Sequence, residues 1–121
     1  MAGINAKRVV IADDDPSWLE LICTDLRLDG HHVVATCASG EEALDACRLH
    51  RPDALVVDER MPPGLNGVEV ARRLRETDPG ITVVIFTNYD EEDITKGAVD
   101  AGAVFVLKEN LRALRAALML D

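Results

Sequence analysis

The chain has 121 residues and a formal net charge of −9, with 48% apolar and 29% charged residues. This length suits one domain over residues 1–121, since domains most often contain about 100–150 residues. The negative charge argues against direct binding of nucleic acid. No apolar run approaches the roughly 20 residues that span a bilayer, and residues 1–7 lack a secretory signal, so we expect a cytoplasmic protein.

Five short apolar runs predict β-strands, and they lie at residues 9–12, 33–35, 54–57, 83–86 and 104–107. They are nearly continuous rather than alternating, which is typical of parallel strands that are covered on both faces. Their starts are roughly 20–27 residues apart, which leaves room for a helix in each βαβ unit.

The segments between these runs carry helix signals. Asp15 before Pro16 predicts a helix start, Ser39 with Glu42 and Asn66 with Glu69 suggest capping boxes, and Asp90 and Asn110 precede two further helical patterns. Glycines 30, 80 and 102 stand where helices should end. The alternation predicts an α/β fold of the flavodoxin-like type: a doubly wound, five-stranded parallel sheet, (βα)5, with strand order 2-1-3-4-5.

The cysteines and histidines receive no functional role. Cys23, Cys37 and Cys47 are odd in number and lack C-x-x-C spacing, so we expect free thiols in the core rather than a zinc site. The histidines (31, 32 and 50) are expected in turns or at helix ends, exposed to solvent.

Chemistry is expected at the carboxyl ends of the strands, where open α/β sheets bind ligands. Asp13 and Asp14 follow the first run, Asp58 the third, Thr87 the fourth and Lys108 the fifth. Three carboxylates at one edge need a positive charge between them, which Lys108 or a hard divalent cation could supply. Mg²⁺ suits a site with few carboxylates and a phosphate oxygen. Asp58 ends a central strand and has no close acidic neighbour but Glu59, so it is the better nucleophile for a phosphoryl group, and Asp13 and Asp14 are left to hold the metal.

The segments that contain these residues (11–16, 56–62, 86–87 and 107–108) resemble the motifs of the receiver domain of bacterial response regulators. The resemblance extends over essentially the whole chain. The resemblance implies that Asp58 is phosphorylated and that Asp14, Asp58 and the Arg60 backbone carbonyl bind Mg²⁺ or Mn²⁺ directly. It also implies that Asp13 binds the cation largely through water. Thr87 and Lys108 resemble the residues that contact the phosphoryl oxygens.

The same resemblance implies a two-component signalling switch rather than an enzyme. A sensor histidine kinase or a phosphotransfer protein would phosphorylate Asp58, and Thr87 with Phe105 would form the switch. A homodimer or partner surface is expected on the fourth helix, fifth strand and fifth helix, including Ile94, Val106, Ala113 and Ala117.

Three departures from the family pattern concern loops near the expected site. Glu109 stands where many receiver domains have proline, residues 61–67 form a loop one residue longer than the common form, and Asn88 replaces a small residue. We expect Asn88 and Tyr89 to change the lifetime of the phosphoryl group.

Two other functions fit parts of the pattern. A phosphohydrolase that forms an aspartyl phosphate would account for Asp13 and Asp15 as a D-x-D pair, although 121 residues leave little room for a cap domain. A receiver-like module that is never phosphorylated would share the fold, although such modules tend to lose one of the acid, Thr or Lys positions.

Overall fold

The computed structural model describes residues 6–119. Within this range, five strands alternate with five helices. The strands are β1 (Arg8–Ala12), β2 (His32–Cys37), β3 (Ala54–Val57), β4 (Thr82–Thr87) and β5 (Val104–Leu107). The helices are α1 (Pro16–Leu28), α2 (Gly40–His50), α3 (Gly67–Thr77), α4 (Glu92–Asp100) and α5 (Leu111–Leu118).

The strands form one parallel sheet in the order β2-β1-β3-β4-β5, which confirms the predicted fold class and strand order. The side chains of β3 are all buried, because helices cover both faces of the sheet. One apolar core lies between the sheet and α2, α3 and α4, and the other lies between the sheet and α1 and α5. Because all five strands are parallel, the carboxyl ends of β1, β3, β4 and β5 lie at one edge of the sheet.

Helix starts follow the predicted caps at most positions. Asp15 accepts from the Ser17 N–H, Asn110 accepts from the Ala113 N–H, and α3 has the complete capping box. At α2 the box is only partly formed, because the Glu42 carboxylate accepts from the Ala38 N–H. Helix α4 begins two residues after Asp90, and the side chain of its N-cap residue, Glu91, makes no capping hydrogen bond to the first turn.

The prediction that all three histidines are exposed was wrong for His31. Its side chain is buried between α1 and β2, where Nδ1 accepts a hydrogen bond of 2.9 Å from the Lys7 backbone N–H. A buried imidazole needs such a partner, and the partner lies 24 residues away in the chain. His32 is exposed at the start of β2, and His50 is half-buried at the end of α2.

The three cysteines, Cys23, Cys37 and Cys47, are free thiols in the core, as predicted. Burial raises the pKa of Cys37 to about 11 and that of Cys47 to about 12.

The surface expected over α4, β5 and α5 was assigned partly to the wrong residues. Ile94, Val106 and Ala117 are buried and pack in the core, whereas Ala113 is half-buried.

The described helices are all too short or too polar to cross a membrane.

Candidate functional site

Main-chain hydrogen bonds between neighbouring strand ends position the predicted site residues. The Asp58 N–H donates to the Ala12 carbonyl at 3.0 Å, which places Asp58 beside Asp13. The Lys108 N–H donates to the Thr87 carbonyl at 2.9 Å and joins the ends of β4 and β5 in the same way. The parallel register of the sheet therefore assembles the site from residues far apart in the sequence.

The Lys108 ammonium lies between two buried carboxylates. Its Nζ is 2.6 Å from Asp13 Oδ2 and 3.3 Å from Asp58 Oδ2. The three residues are 4%, 1% and 7% exposed, so solvent screens these charges only weakly. Nζ also lies 4.8 Å from the centre of the Trp18 ring, where the face of an aromatic ring attracts a cation.

Each buried carboxylate is held by the backbone of a following residue. Asp13 Oδ1 accepts from the Asp15 N–H at 2.9 Å, and Asp58 Oδ1 accepts from the Glu59 N–H at 2.8 Å. The second oxygen of each group, Oδ2, faces the ammonium of Lys108. The turns after β1 and β3 thus orient the two carboxylates toward a common point.

Asp13, Asp14 and Asp58 form a group that could hold a metal ion, because each offers an oxygen and these oxygens lie within 4.8 Å of one another. Burial raises the pKa of Asp13, and the hydrogen bond from Lys108 opposes that rise. Three carboxylates with one ammonium leave an excess of negative charge. Hard oxygen donors in such a set fit a divalent cation of the Mg²⁺ type.

These groups line a cavity of about 370 Å³ that opens to solvent. Its rim includes Arg60, Asn88 and Tyr89. The Arg60 guanidinium donates to both oxygens of Glu91 at 2.7 Å and stacks 3.9 Å above the centre of the Tyr89 ring. The loops after β3 and β4 are therefore linked across the mouth of the cavity.

Thr87 and Phe105 lie outside this cavity. Thr87 is fully buried at the end of β4, and its hydroxyl accepts a long hydrogen bond of 3.4 Å from the Tyr89 N–H. Phe105 is half-buried on β5, where it packs on the core that contains Ile85. It also borders a second cavity of about 520 Å³ between β5 and the start of α5.

Sequence reasoning overlooked three residues around the site. Trp18, Glu59 and Glu91 are not among the residues predicted from the sequence, yet they contact Lys108, Asp58 and Arg60, respectively. Glu59 is the second residue after β3, and its burial depends on a contact nine residues further along the chain that no local sequence pattern indicates. Its carboxylate accepts from the Val68 N–H at 2.8 Å.

Residues 9–119 match the family model of the response regulator receiver domain, so the chain belongs to this family. It is 37% identical over 117 residues to the response regulator MprA of Mycobacterium avium (strain 104), an alignment that covers 92% of this chain and 50% of MprA. It is also 40% identical over 102 residues to a protein-glutamate methylesterase/protein-glutamine glutaminase of Nitrosospira multiformis, covering 82% and 28% of the two chains. The chain thus spans about half, or less, of these relatives.

A solved structure supports the same assignment. The signal receiver domain of the putative response regulator NarL from Mycobacterium tuberculosis superposes with a TM-score of 0.83 at 32% identity, covering 93% of this chain and 96% of that one. Receiver domains of response regulators serve two-component signal transduction, generally as switches.

Proposed function

We propose that this chain is a phosphorylation switch in which Asp58 accepts a phosphoryl group from a phosphohistidine of a sensor kinase or phosphotransfer protein. The observation that carries the proposal is the position of the Asp58 carboxylate. It is buried at the carboxyl edge of the sheet, 3.3 Å from the Lys108 ammonium and within reach of two further aspartates. Family membership supports the same reading.

The proposed cofactor is Mg²⁺ or Mn²⁺, held by Asp14, Asp58 and the backbone carbonyl of Arg60, with Asp13 acting largely through water. The donor set supports this assignment, because the acidic oxygens are hard ligands and their charge exceeds that of Lys108. When bound, the cation would neutralise charge on the phosphoryl oxygens.

In the proposed transfer, an oxygen of the Asp58 carboxylate forms a bond to phosphorus while the bond from phosphorus to the histidine nitrogen breaks. The imidazole leaves with the electron pair of that bond. Lys108 stabilises the charge on the equatorial oxygens, because its ammonium is already fixed beside Asp58. The reaction needs alignment and charge stabilisation rather than a general base.

The proposed switch begins at Thr87. A phosphoryl group carries about −1.5 to −2 charges, which favours a hydroxyl donor close to it. The Thr87 hydroxyl accepts from the Tyr89 N–H, so its movement would release the loop that precedes α4. Phe105 would then repack on β5, where it borders the cavity of about 520 Å³.

The output surface in this proposal is the exposed side of α4, β5 and α5, which would bind a partner or a second copy of the chain. Phosphorylation would shift an existing equilibrium between two states of that surface. We further propose that residues 1–121 act as a single cytoplasmic receiver unit, without binding nucleic acid themselves and without turning over a substrate.

The test is mass spectrometry after incubation with acetyl phosphate and Mg²⁺, followed by peptide mapping. We expect one phosphoryl group on the parent protein and none on Asp58→Ala. The matched control is Asp45→Ala, which removes an exposed aspartate of α2 and should be phosphorylated like the parent. A chelator should prevent the transfer.

The experiment also separates the two rival functions. Equal phosphorylation of the parent and of Asp58→Ala would reject Asp58 as the acceptor. No phosphorylation of the parent with acetyl phosphate, phosphoramidate or a phosphorylated histidine protein would favour a module that is never phosphorylated. Continued release of phosphate from a phosphoester would favour a phosphohydrolase.

A further inference from the structure

The side chain of Glu59 has no part in the proposed phosphoryl chemistry, although it lies next to Asp58. The residue is 5% exposed, and burial raises the pKa of its carboxyl group. It is not one of the three acids whose oxygens group around the candidate metal site. A buried acid in this position needs a reason, since burying one without a partner is costly.

Three hydrogen bonds hold Glu59 in place. Its backbone N–H donates to Asp58 Oδ1 at 2.8 Å. Its backbone carbonyl accepts from the Gly67 N–H at 2.9 Å, and its side-chain Oε1 accepts from the Val68 N–H at 2.8 Å. One residue therefore binds both the phosphoacceptor carboxylate and the first turn of α3.

The start of α3 is built around this contact. The first N–H groups of a helix have no partner within the helix. Glu59 satisfies those of Gly67 and Val68, while the Asn66 side chain satisfies that of Glu69. At Gly67 a Cβ atom would lie 2.8 Å from the Asp58 carbonyl oxygen, so the helix start is pressed directly against the Asp58–Glu59 backbone.

We infer that Glu59 is a positioning residue, whose side-chain oxygen fastens the turn that carries Asp58 and Arg60 to the start of α3. This inference rests on the proposed function, because it concerns the geometry of phosphoryl acceptance at Asp58. Residues 60–66 form a loop with proline at two positions. This loop begins after the Asp58–Glu59 backbone and ends at the first turn of α3. Glu59 joins those two points, so the Asp58 carboxylate and the Arg60 carbonyl keep their relative orientation.

The inference predicts that an acceptor oxygen matters at position 59, whereas the negative charge does not. Glu59→Gln keeps an oxygen that can accept from the Val68 N–H. Glu59→Met has similar length and volume but no comparable acceptor. The matched control is Glu69→Met, the same change in the capping box of the same helix, where the side chain accepts from the Asn66 N–H and does not contact Asp58.

We expect phosphorylation by acetyl phosphate at saturating Mg²⁺ to slow by about tenfold or more in Glu59→Met, since small misplacements of a reacting group reduce rates strongly. Glu59→Gln should stay within about twofold of the parent, a difference below about 0.5 kcal/mol in the barrier. Glu69→Met should keep the parent rate even if its melting temperature falls as far as that of Glu59→Met. Equal slowing in Glu59→Met and Glu69→Met would reduce Glu59 to a helix cap and overturn the inference.

A second pair of variants decides the question if Glu59→Met does not fold. Glu59→Asp keeps the charge but shortens the side chain by one methylene, so its oxygen no longer reaches the Val68 N–H. The inference expects Glu59→Asp to be slower than Glu59→Gln. The reverse order would overturn it, because charge would then matter more than the acceptor.

Hydrogen exchange at the backbone N–H of residue 59, measured by NMR, separates this inference from the proposed function. That N–H donates to Asp58 Oδ1, so its exchange should be at least about tenfold faster in Glu59→Met and unchanged in Glu59→Gln and Glu69→Met. Failure of the proposed function would appear as no phosphorylation of the parent. Failure of this inference would appear as unchanged exchange at residue 59 in Glu59→Met.

Discussion

At the carboxyl end of the sheet, Asp13, Asp58 and Lys108 are buried together, whereas at the amino end Arg8 and Asp53 pair in exposed positions. Among the described residues, six polar or charged side chains are buried, and His31 is the one that lies at the amino end. The Arg8 N–H donates to Asp53 Oδ2 at 2.8 Å, a bond that closes the end of the strand without burying a charge. The amino end thus serves stability, while the carboxyl end keeps charges that a stable core would avoid.

The largest effect is expected for Lys108→Met, which removes the positive charge between Asp13 and Asp58. Losing one partner of a buried ion pair should lower the free energy of unfolding by about 3 kcal/mol in a chelator, as measured by urea unfolding. Phosphorylation of Asp58 should slow by about 100-fold or more, because a donor to the phosphoryl oxygens is lost.

The matched control for this prediction is Lys96→Met, which removes an exposed lysine of α4 and should change neither quantity. Added Mg²⁺ should restore part of the stability of Lys108→Met, since it supplies positive charge to the same carboxylates. Parent-like phosphorylation of Lys108→Met would contradict the role assigned to this end of the sheet.

At the amino end, His31→Ala should affect stability alone. The change removes the acceptor of the Lys7 N–H and leaves a cavity, so the free energy of unfolding should fall by about 1–3 kcal/mol. Phosphorylation of Asp58 should remain at the parent rate. His32→Ala, the exposed neighbour, is the control, and a slower phosphorylation of His31→Ala would show that the two ends are coupled.

His31 also shows where prediction from the sequence ends. The fold followed from local signals, because the apolar runs and caps such as Asp15 and Asn110 act within a few residues. The grouping of Asp13, Asp58 and Lys108 followed from the rule that parallel strands end at one edge. Burial of His31 depends on a backbone group 24 residues earlier in the chain, which no local pattern reports.

The same limit applies inside the site. The sequence places Thr87 at the correct strand end, but it does not tell that the side chain is fully buried beside the Tyr89 N–H. Nor does it tell that Glu59 turns toward α3 rather than toward the cavity. Strand order determines which residues meet at an edge, whereas side-chain direction depends on packing that is set by the whole fold.

A smaller effect is expected in the pH dependence of stability, measured in a chelator. Burial holds the pKa of Asp13 above 3.8, the usual value of an aspartate, so the folded protein binds this proton more tightly than the unfolded chain. The resulting stabilisation is complete below pH 3.8 and is lost as the pH rises through the raised pKa.

Asp13→Asn should therefore reduce the fall in the free energy of unfolding that occurs as the pH rises above 3.8. Asp45→Asn, at an exposed position on α2, should leave the slope as in the parent. An unchanged slope in Asp13→Asn would mean that burying this carboxylate has no cost, contrary to the contrast between the two ends.

The smallest effect is expected at the rim of the cavity, where the charged groups of Arg60 and Glu91 are exposed, as those of Arg8 and Asp53 are at the amino end. Arg60 bonds to Glu91 and stacks on Tyr89, yet exposed ion pairs contribute little to stability. Tyr89→Ala should leave urea unfolding nearly unchanged while it opens the path of water to phosphorylated Asp58. We expect the phosphoryl group to be lost faster by less than about tenfold, a change below about 1.4 kcal/mol in the barrier.

Asn88→Ala, at the same rim, should act in the same direction but more weakly, because it leaves the Arg60–Tyr89 stack intact. Unchanged dephosphorylation in both variants would show that the rim does not control water, and that the buried groups alone distinguish the carboxyl end from the amino end.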